Sequence, residues 1–382
     1  MSRATISGFA APGFEGVRAQ FAEHFCSEGE VGASLCIERE GETLVDLWGG
    51  HLDRARTRAW EADTLANVWS TTKGALAATV AHLVSSGRLD YAAPVSCYWP
   101  EFAAAGKQDV TVAQLFSHQA GLAGPDAPLT VDDLYDVEAV SDLLAAQAPL
   151  WPIGSRSGYH AISIGYLAEG LVRRVTGHSV GAEFRDAIAA PLGLDFHMSL
   201  ADQADHRASE MLSDGNLLSD RAGFDRLQIV SQVHMPIVPE MPNDRRWRAM
   251  GTPSAGGMAS GRGIAGLYAH LLSDLDGRTR DVCDASTLEA ALTIQISNED
   301  LVLHMPVHWG IGFAINGELG FYGPSPRAFG HHGWGGSTGF ADPECGIAFG
   351  YAMNYMRQVS LGDPRARNLI GATYAALADG EV

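Results

Sequence analysis

Apolar residues along this chain switch between helical and strand-like spacing several times, and the switches outline a fold. A first helix is predicted over 13–25. The stretch 32–47 alternates between apolar and polar positions and breaks at Glu40-Gly41-Glu42, which predicts a β-hairpin. Between Ser70 and Ser86 the residues Leu76, Val80, Leu83 and Val84 fall at helical spacing and Gly87 supplies a stop signal, so a buried helix begins at or beside Ser70. Helical segments joined by Pro- and Gly-containing loops fill 89–227, among them 164–175 and 180–190, the second closed by Pro191. Strand-like runs return at 310–315, 327–331, 337–341 and 346–353, before a closing helix over 365–376. The pattern predicts an α/β protein whose sheet is built from both ends of the chain, with a mainly helical region inserted between them.

Composition narrows the class. The 382 residues are 46% hydrophobic and 19% charged, without a long polar or single-residue tract, as expected of a folded globular chain. A balance of 26 basic against 45 acidic residues, net −19, argues against nucleic acid or an anionic membrane as partner. No run approaches the roughly 18 apolar residues of a membrane span. Arg3, Glu15, Arg18 and Glu23 interrupt the apolar residues near the N-terminus, so no secretory leader is expected and the predicted location is the cytoplasm. Five cysteines (Cys26, Cys36, Cys97, Cys283, Cys345) are odd in number and widely spaced, which points to free thiols. No zinc-ligand motif occurs, and no metal or cofactor is expected.

Lysine usage changes the picture more than any of these. Of the 26 basic residues only Lys73 and Lys107 are lysines. Arginine does not give up its proton in a protein, whereas a lysine can be tuned into a base. In Val68-Trp69-Ser70-Thr71-Thr72-Lys73-Gly74 the Ser and Lys stand three apart, so a helix puts both side chains on one face, one turn apart. A serine hydroxyl needs a neighbouring base to become a nucleophile, and an amine near a helix N-terminus in a dry pocket can serve as one. The same N-terminus offers backbone N–H groups to a developing oxyanion.

With this Ser-x-x-Lys motif as its anchor, the chain resembles the serine β-lactamase-like superfamily of class C β-lactamases, DD-peptidases and family VIII carboxylesterases, most closely the last. The likeness runs in order along most of the chain. Ser117-His118-Gln119-Ala120-Gly121-Leu122 resembles the superfamily's Leu-Ser-His-x-Ser-Gly-Leu loop, and Gly158-Tyr159-His160-Ala161 its tyrosine motif. Pro191-Leu192-Gly193-Leu194 resembles a Pro-Leu-Gly-Met turn, and Ala255-Gly256-Gly257-Met258 the glycine-rich segment after the helical insert. His332-Gly333-Trp334-Gly335-Gly336-Ser337 falls where the third motif belongs. The resemblance implies a β-lactamase/transpeptidase-like fold, an antiparallel sheet flanked by helices. Residues 1–75 and 229–382 would form its α/β domain and 76–228 a mainly helical one.

It also implies roles. Ser70 is the expected nucleophile, Lys73 its base and Tyr159 the proton shuttle, with the backbone N–H groups of Ser70 and Ser337 as oxyanion hole. Trp334, Gly335, Gly336 and His332 are expected at the substrate pocket. His331 and His332 occupy adjacent strand positions and so point to opposite faces, which admits only one of them to the pocket. Lactam-cleaving members carry Lys-Thr-Gly in the third motif and Tyr-x-Asn in the second; here Trp334-Gly335-Gly336 and Ala161 stand instead, as suits a neutral small-molecule ester. The expected activity is hydrolysis of short-chain esters through an acyl-enzyme, with weak side activity on a β-lactam. β-Lactam, D-amino-acid amide, peptide or linear-amide hydrolysis is the nearest rival, and a penicillin-binding sensor that acylates and stalls a more distant one.

Two pentapeptides, Gly177-His178-Ser179-Val180-Gly181 and Gly335-Gly336-Ser337-Thr338-Gly339, match the Gly-x-Ser-x-Gly elbow of α/β-hydrolases. Such an elbow joins a strand to a helix, whereas Ser179 follows a predicted helix and Ser337 opens a late strand.

Overall fold

The computed structural model describes residues 5–213, 223–357 and 362–379; residues 214–222 of the predicted helical region lie outside it. Nine strands form one antiparallel sheet, in the spatial order Ile6–Ala10, Glu42–Gly50, Gly32–Arg39, Ile347–Met353, Thr338–Asp342, Phe329–His332, Ala314–Ile315, Pro306–Trp309, Ile296–Glu299. Both ends of the chain thus contribute to it, and helices flank it. The central strands are buried on both faces: every residue of Thr338–Asp342 and of Ile347–Met353 is buried. They read as continuous small and apolar runs rather than alternating ones because both faces are covered.

Helix Gly261–Leu275 lies directly on three of these strands. The approach is possible because it starts on a glycine and crosses another: a Cβ on Gly350 would sit 2.2 Å from Gly261 O. Helices Glu15–Ser27 and Pro364–Asp379 pack against each other. Between the two parts of the sheet run Thr72–Ser85, Val112–Phe116, Val137–Ala146 and Ser163–Thr176. Helix Thr72–Ser85 is buried nearly all round, as its alanine-rich, apolar sequence requires. No helix among the described residues is long and apolar enough to cross a membrane.

The strand predicted at 310–315 shrinks to Ala314–Ile315. Gly312 has φ +82° and Gly310 N–H closes a turn onto Phe313 O, while the Ile311 and Gly312 N–H groups donate to Ala291 O and Phe116 O instead of a neighbouring strand. The helix predicted over 180–190 is α-helical only over Val180–Phe184 and widens to a π-turn at Arg185–Ala189.

Candidate active site

The short strand Ala66–Asn67 pairs with Met258–Ala259, and Val68 N–H carries the pairing on to Gly257 O at 2.8 Å. Trp69 then adopts a left-handed backbone, φ +46°, which costs a non-glycine residue about 1–2 kcal/mol. Neighbours hold that turn in place. Asn67 Nδ2 donates to Ala255 O (3.1 Å), Trp247 Nε1 donates to Asn67 Oδ1 (3.0 Å), and Gly257 N–H donates to Thr72 Oγ1 (2.9 Å). The chain passes through the 3-10 turn Trp69–Thr71 into helix Thr72–Ser85, leaving Ser70 half-buried in the opening turn, where the first N–H groups of a helix lack intrahelical acceptors.

Lys73 Nζ lies 2.9 Å from Ser70 Oγ, 2.7 Å from Ala161 O and 2.9 Å from Ser254 O, and the residue is only 3% exposed. All three partners are uncharged. Burial without a carboxylate partner holds the amine well below the ordinary lysine pKa, and its place at the positive end of a helix works in the same direction. Two of the amine's positions are taken by the carbonyls, and its third faces Ser70 Oγ.

Tyr159 completes the cluster, its hydroxyl donating to Ser70 Oγ at 2.9 Å. Burial pushes the phenol well above its usual pKa, so it is protonated at neutral pH. Its ring stacks on Trp309, with centroids 5.6 Å apart and planes 3° from parallel. Behind it His160 Nδ1 donates to Gly158 O (2.7 Å) and Nε2 accepts Leu122 N–H (2.9 Å), one tautomer of a neutral ring whose pKa burial lowers to about 4. His118 accepts from His160 N–H through Nδ1 (3.3 Å) and from Gly158 N–H through its carbonyl (3.0 Å), so it ties its loop to the tyrosine segment.

The third motif forms the turn between strands Phe329–His332 and Thr338–Asp342. Ser337 is fully buried and its hydroxyl donates to Val68 O at 2.7 Å, with Thr71 Oγ1 at 3.1 Å, which fastens its backbone to the turn carrying Ser70. Trp334 packs edge-to-face on Trp69 at 5.0 Å. Gly335 and Gly336 enter as backbone: a Cβ there would strike Met356 (2.6 Å) or the Arg365 guanidinium (2.8 Å). His332, expected at the pocket, is on the other face, stacked on Tyr322 at 4.7 Å and bonded to Thr338 Oγ1 at 3.0 Å. His331 instead lies beside the Tyr159 ring, centroids 5.9 Å apart. Strand alternation separates the two histidines, and the pairing with Thr338–Asp342 sets the phase.

Ser179 is the N-cap of helix Val180–Phe184, its Oγ accepting from Ala182 N–H at 3.1 Å, in a turn between two helices. Three further contributors carry no sequence motif. Ser254 offers its carbonyl to Lys73, and its hydroxyl donates to Ile162 O (2.9 Å), next to the other carbonyl that Lys73 meets. Asp300 anchors the Tyr159 backbone, and Arg365 donates to Gly335 O at 2.8 Å. No group of three or more His, Cys, Asp or Glu side chains placed to hold a metal occurs among the described residues.

A family model described as Beta-lactamase matches residues 16–372. The chain belongs to the beta-lactamase family. Among relatives of this family, the Esterase/beta-lactamase LipL of Mycobacterium tuberculosis is 31% identical over 366 residues, 91% of this chain and 83% of that one. A crystallised family VIII carboxylesterase is 43% identical with a TM-score of 0.91, covering 97% of this chain and all of the other. A penicillin-binding protein homolog from Caulobacter crescentus is 38% identical with a TM-score of 0.89, at 97% and 100% coverage. Within the beta-lactamase family the third motif here lacks a lysine, and the arginine beneath it offers no substitute. Arg365 is fully buried and engaged by Glu30, at 3.0 Å, and Asp363, at 2.9 Å.

Proposed function

We propose that the protein is a serine carboxylesterase that hydrolyses short-chain esters through an acyl-enzyme on Ser70. The observation that carries this reading is the position of Ser70 Oγ, 2.9 Å from both the Lys73 amine and the Tyr159 hydroxyl. The uncharged amine takes the Ser70 proton while Oγ attacks the ester carbonyl. The backbone N–H groups of Ser70 and Ser337 stabilise the resulting oxyanion, each such donor being worth about 3 kcal/mol in comparable sites. As the carbonyl re-forms, the alcohol leaves with the proton of Tyr159, which Lys73 replaces. Water then attacks the acyl group, its proton returning through the same relay, and Ser70 is released protonated.

The choice of ester over lactam or amide rests on what the cleft lacks. Neither Trp334 nor the committed Arg365 presents a cation to a substrate carboxylate, and Ala161 offers no side-chain amide to an acylamino group. A family VIII carboxylesterase at 43% identity supports the same substrate class. The test is a turnover panel of nitrophenyl esters of graded acyl length beside a D-amino-acid amide and nitrocefin, with mass spectrometry of the trapped acyl-enzyme. Fastest turnover on short esters, slow opening of nitrocefin and an acyl group on the peptide containing Ser70 are expected. Faster amide cleavage, or a label on another serine, overturns the proposal.

A further inference from the structure

Tyr159 reaches Ser70 from a loop, and a loop does not aim a phenol unaided. Its backbone N–H donates to Asp300 Oδ1 at 2.9 Å. Asp300 follows strand Ile296–Glu299, is 1% exposed, and lies 141 residues from Tyr159 along the chain. The same Oδ1 accepts Val302 N–H (2.9 Å) and Leu303 N–H (3.0 Å), so the loop closes around the carboxylate. Its other oxygen, Oδ2, accepts Ser157 Oγ at 2.7 Å and Trp309 Nε1 at 3.3 Å. Trp309 is the ring on which Tyr159 stacks, and Ser157 stands two residues before the tyrosine. One carboxylate therefore grips the backbone of Tyr159, the residue leading to it and the surface its ring rests on.

We infer that Asp300 is the positioning residue of the proton shuttle, holding the Tyr159 hydroxyl on Ser70 by fixing the tyrosine's backbone and its Trp309 platform together. This rests on the Ser-Lys-Tyr reading above. A buried carboxylate held by five donors is an expensive arrangement for a loop whose only task is closure, since all five hydrogen bonds must form for the charge to be tolerated. Its charge serves the same end. Burial is the main reason the Tyr159 phenol resists ionisation, and Asp300 adds to that resistance, which keeps the shuttle protonated until an alkoxide needs the proton. Asn in place of Asp300 would retain one oxygen for the three backbone N–H groups. It would turn an NH2 toward Ser157 and Trp309; the serine hydroxyl can rotate to accept, whereas the indole N–H cannot.

A double-mutant cycle between Asp300→Asn and Tyr159→Phe tests this on the full-length protein, with kcat and KM measured on a short nitrophenyl ester. Asp300→Asn is expected to lower kcat about 10- to 100-fold, as misplacement of a reacting group does, with KM changed less than about threefold. In the Tyr159→Phe background, which has no hydroxyl to aim, the same change should lower kcat less than about twofold. Ser157→Ala removes one donor to the carboxylate and is a milder second probe should Asp300→Asn fail to fold. It should lower kcat about two- to fivefold, again only when the tyrosine hydroxyl is present. Equal losses from either change in both backgrounds, or a loss confined to KM, overturn the inference while leaving the shuttle intact. A Tyr159→Phe variant with near-normal kcat overturns the shuttle itself.

Discussion

Two buried basic side chains, one beside Ser70 and one beneath the third motif, are treated in opposite ways. Arg365, beneath the third motif, is fully buried yet meets Glu30 and Asp363 and donates to Gly335 O. Burial works against its charge, but Glu30 first and Asp363 after it push its pKa up. Lys73, equally hidden, meets two carbonyls and a hydroxyl, and burial without a carboxylate partner drives its pKa down. Depth is the same in the two places; the partner set decides the charge. The guanidinium is held charged as a strut, while the amine is pushed toward its neutral form.

The largest test of this contrast exchanges the head groups. Lys73→Arg puts a permanent cation in the site and removes the possibility of a neutral base, because a guanidinium does not deprotonate in a protein. Turnover of a nitrophenyl ester is expected to fall roughly 10³- to 10⁴-fold, as far as in Lys73→Met, general base catalysis typically contributing about 10²–10⁴. Activity in Lys73→Arg within tenfold of the parent would mean that the residue acts only as a charge.

Arg365→Met probes the other side. It leaves Glu30 and Asp363 buried without their cation, and breaking a buried pair from one side typically costs about 3–5 kcal/mol. Urea unfolding should show a loss of that order. A loss below about 1 kcal/mol would indicate that protonation of Glu30, whose carboxyl burial already pushes up, relieves the site without help.

A third consequence is smaller at any one pH but specific in sign. In the folded protein Lys73 binds its proton only well below pH 10.5, whereas in the unfolded chain it binds it up to that value. Between the two pKa values the unfolded state carries the extra proton, so the folded state gains stability as pH rises through that window and loses it as pH falls. Relative to Lys73→Met, the parent should gain up to about 1.4 kcal/mol per pH unit within that window. Parallel stability curves for the two proteins from pH 6 to 10 would show that the amine stays charged in the fold.

How much of this was legible beforehand follows from where each residue gets its position. Ser70 and Lys73 sit one helical turn apart, and a helix is local, so three residues of spacing suffice to bring them together. Asp300 has no comparable signature. It lies in a loop, four of its five donors come from other residues of loops, and the fifth is an indole that folding delivers. Helix Gly261–Leu275 was hidden by its own packing: Gly261, Gly263 and Gly266 in its first turns read as helix breakers, yet a Cβ on Gly263 would lie 2.2 Å from Asp195 O. The same holds for strand Pro306–Trp309, whose opening proline argues against a strand unless it stands at a strand start, as it does here. Alternation showed that His331 and His332 diverge, but the phase depends on which face the helices cover.

The smallest effect is expected at the serine whose local sequence looks most like a hydrolase signature. Ser179 stands in Gly177-His178-Ser179-Val180-Gly181, but Gly177 ends one helix in a left-handed conformation and Ser179 begins the next, its Oγ occupied by the Ala182 N–H. A hydroxyl used as an N-cap is a structural acceptor, and its removal exposes one orphan donor at a partly exposed helix end. Ser179→Ala should therefore cost about 1 kcal/mol of stability and leave ester turnover within about twofold of the parent. The contrast with Ser70→Ala, where turnover should vanish at unchanged stability, separates a motif that matches in letters from a serine with an amine and a phenol each 2.9 Å away.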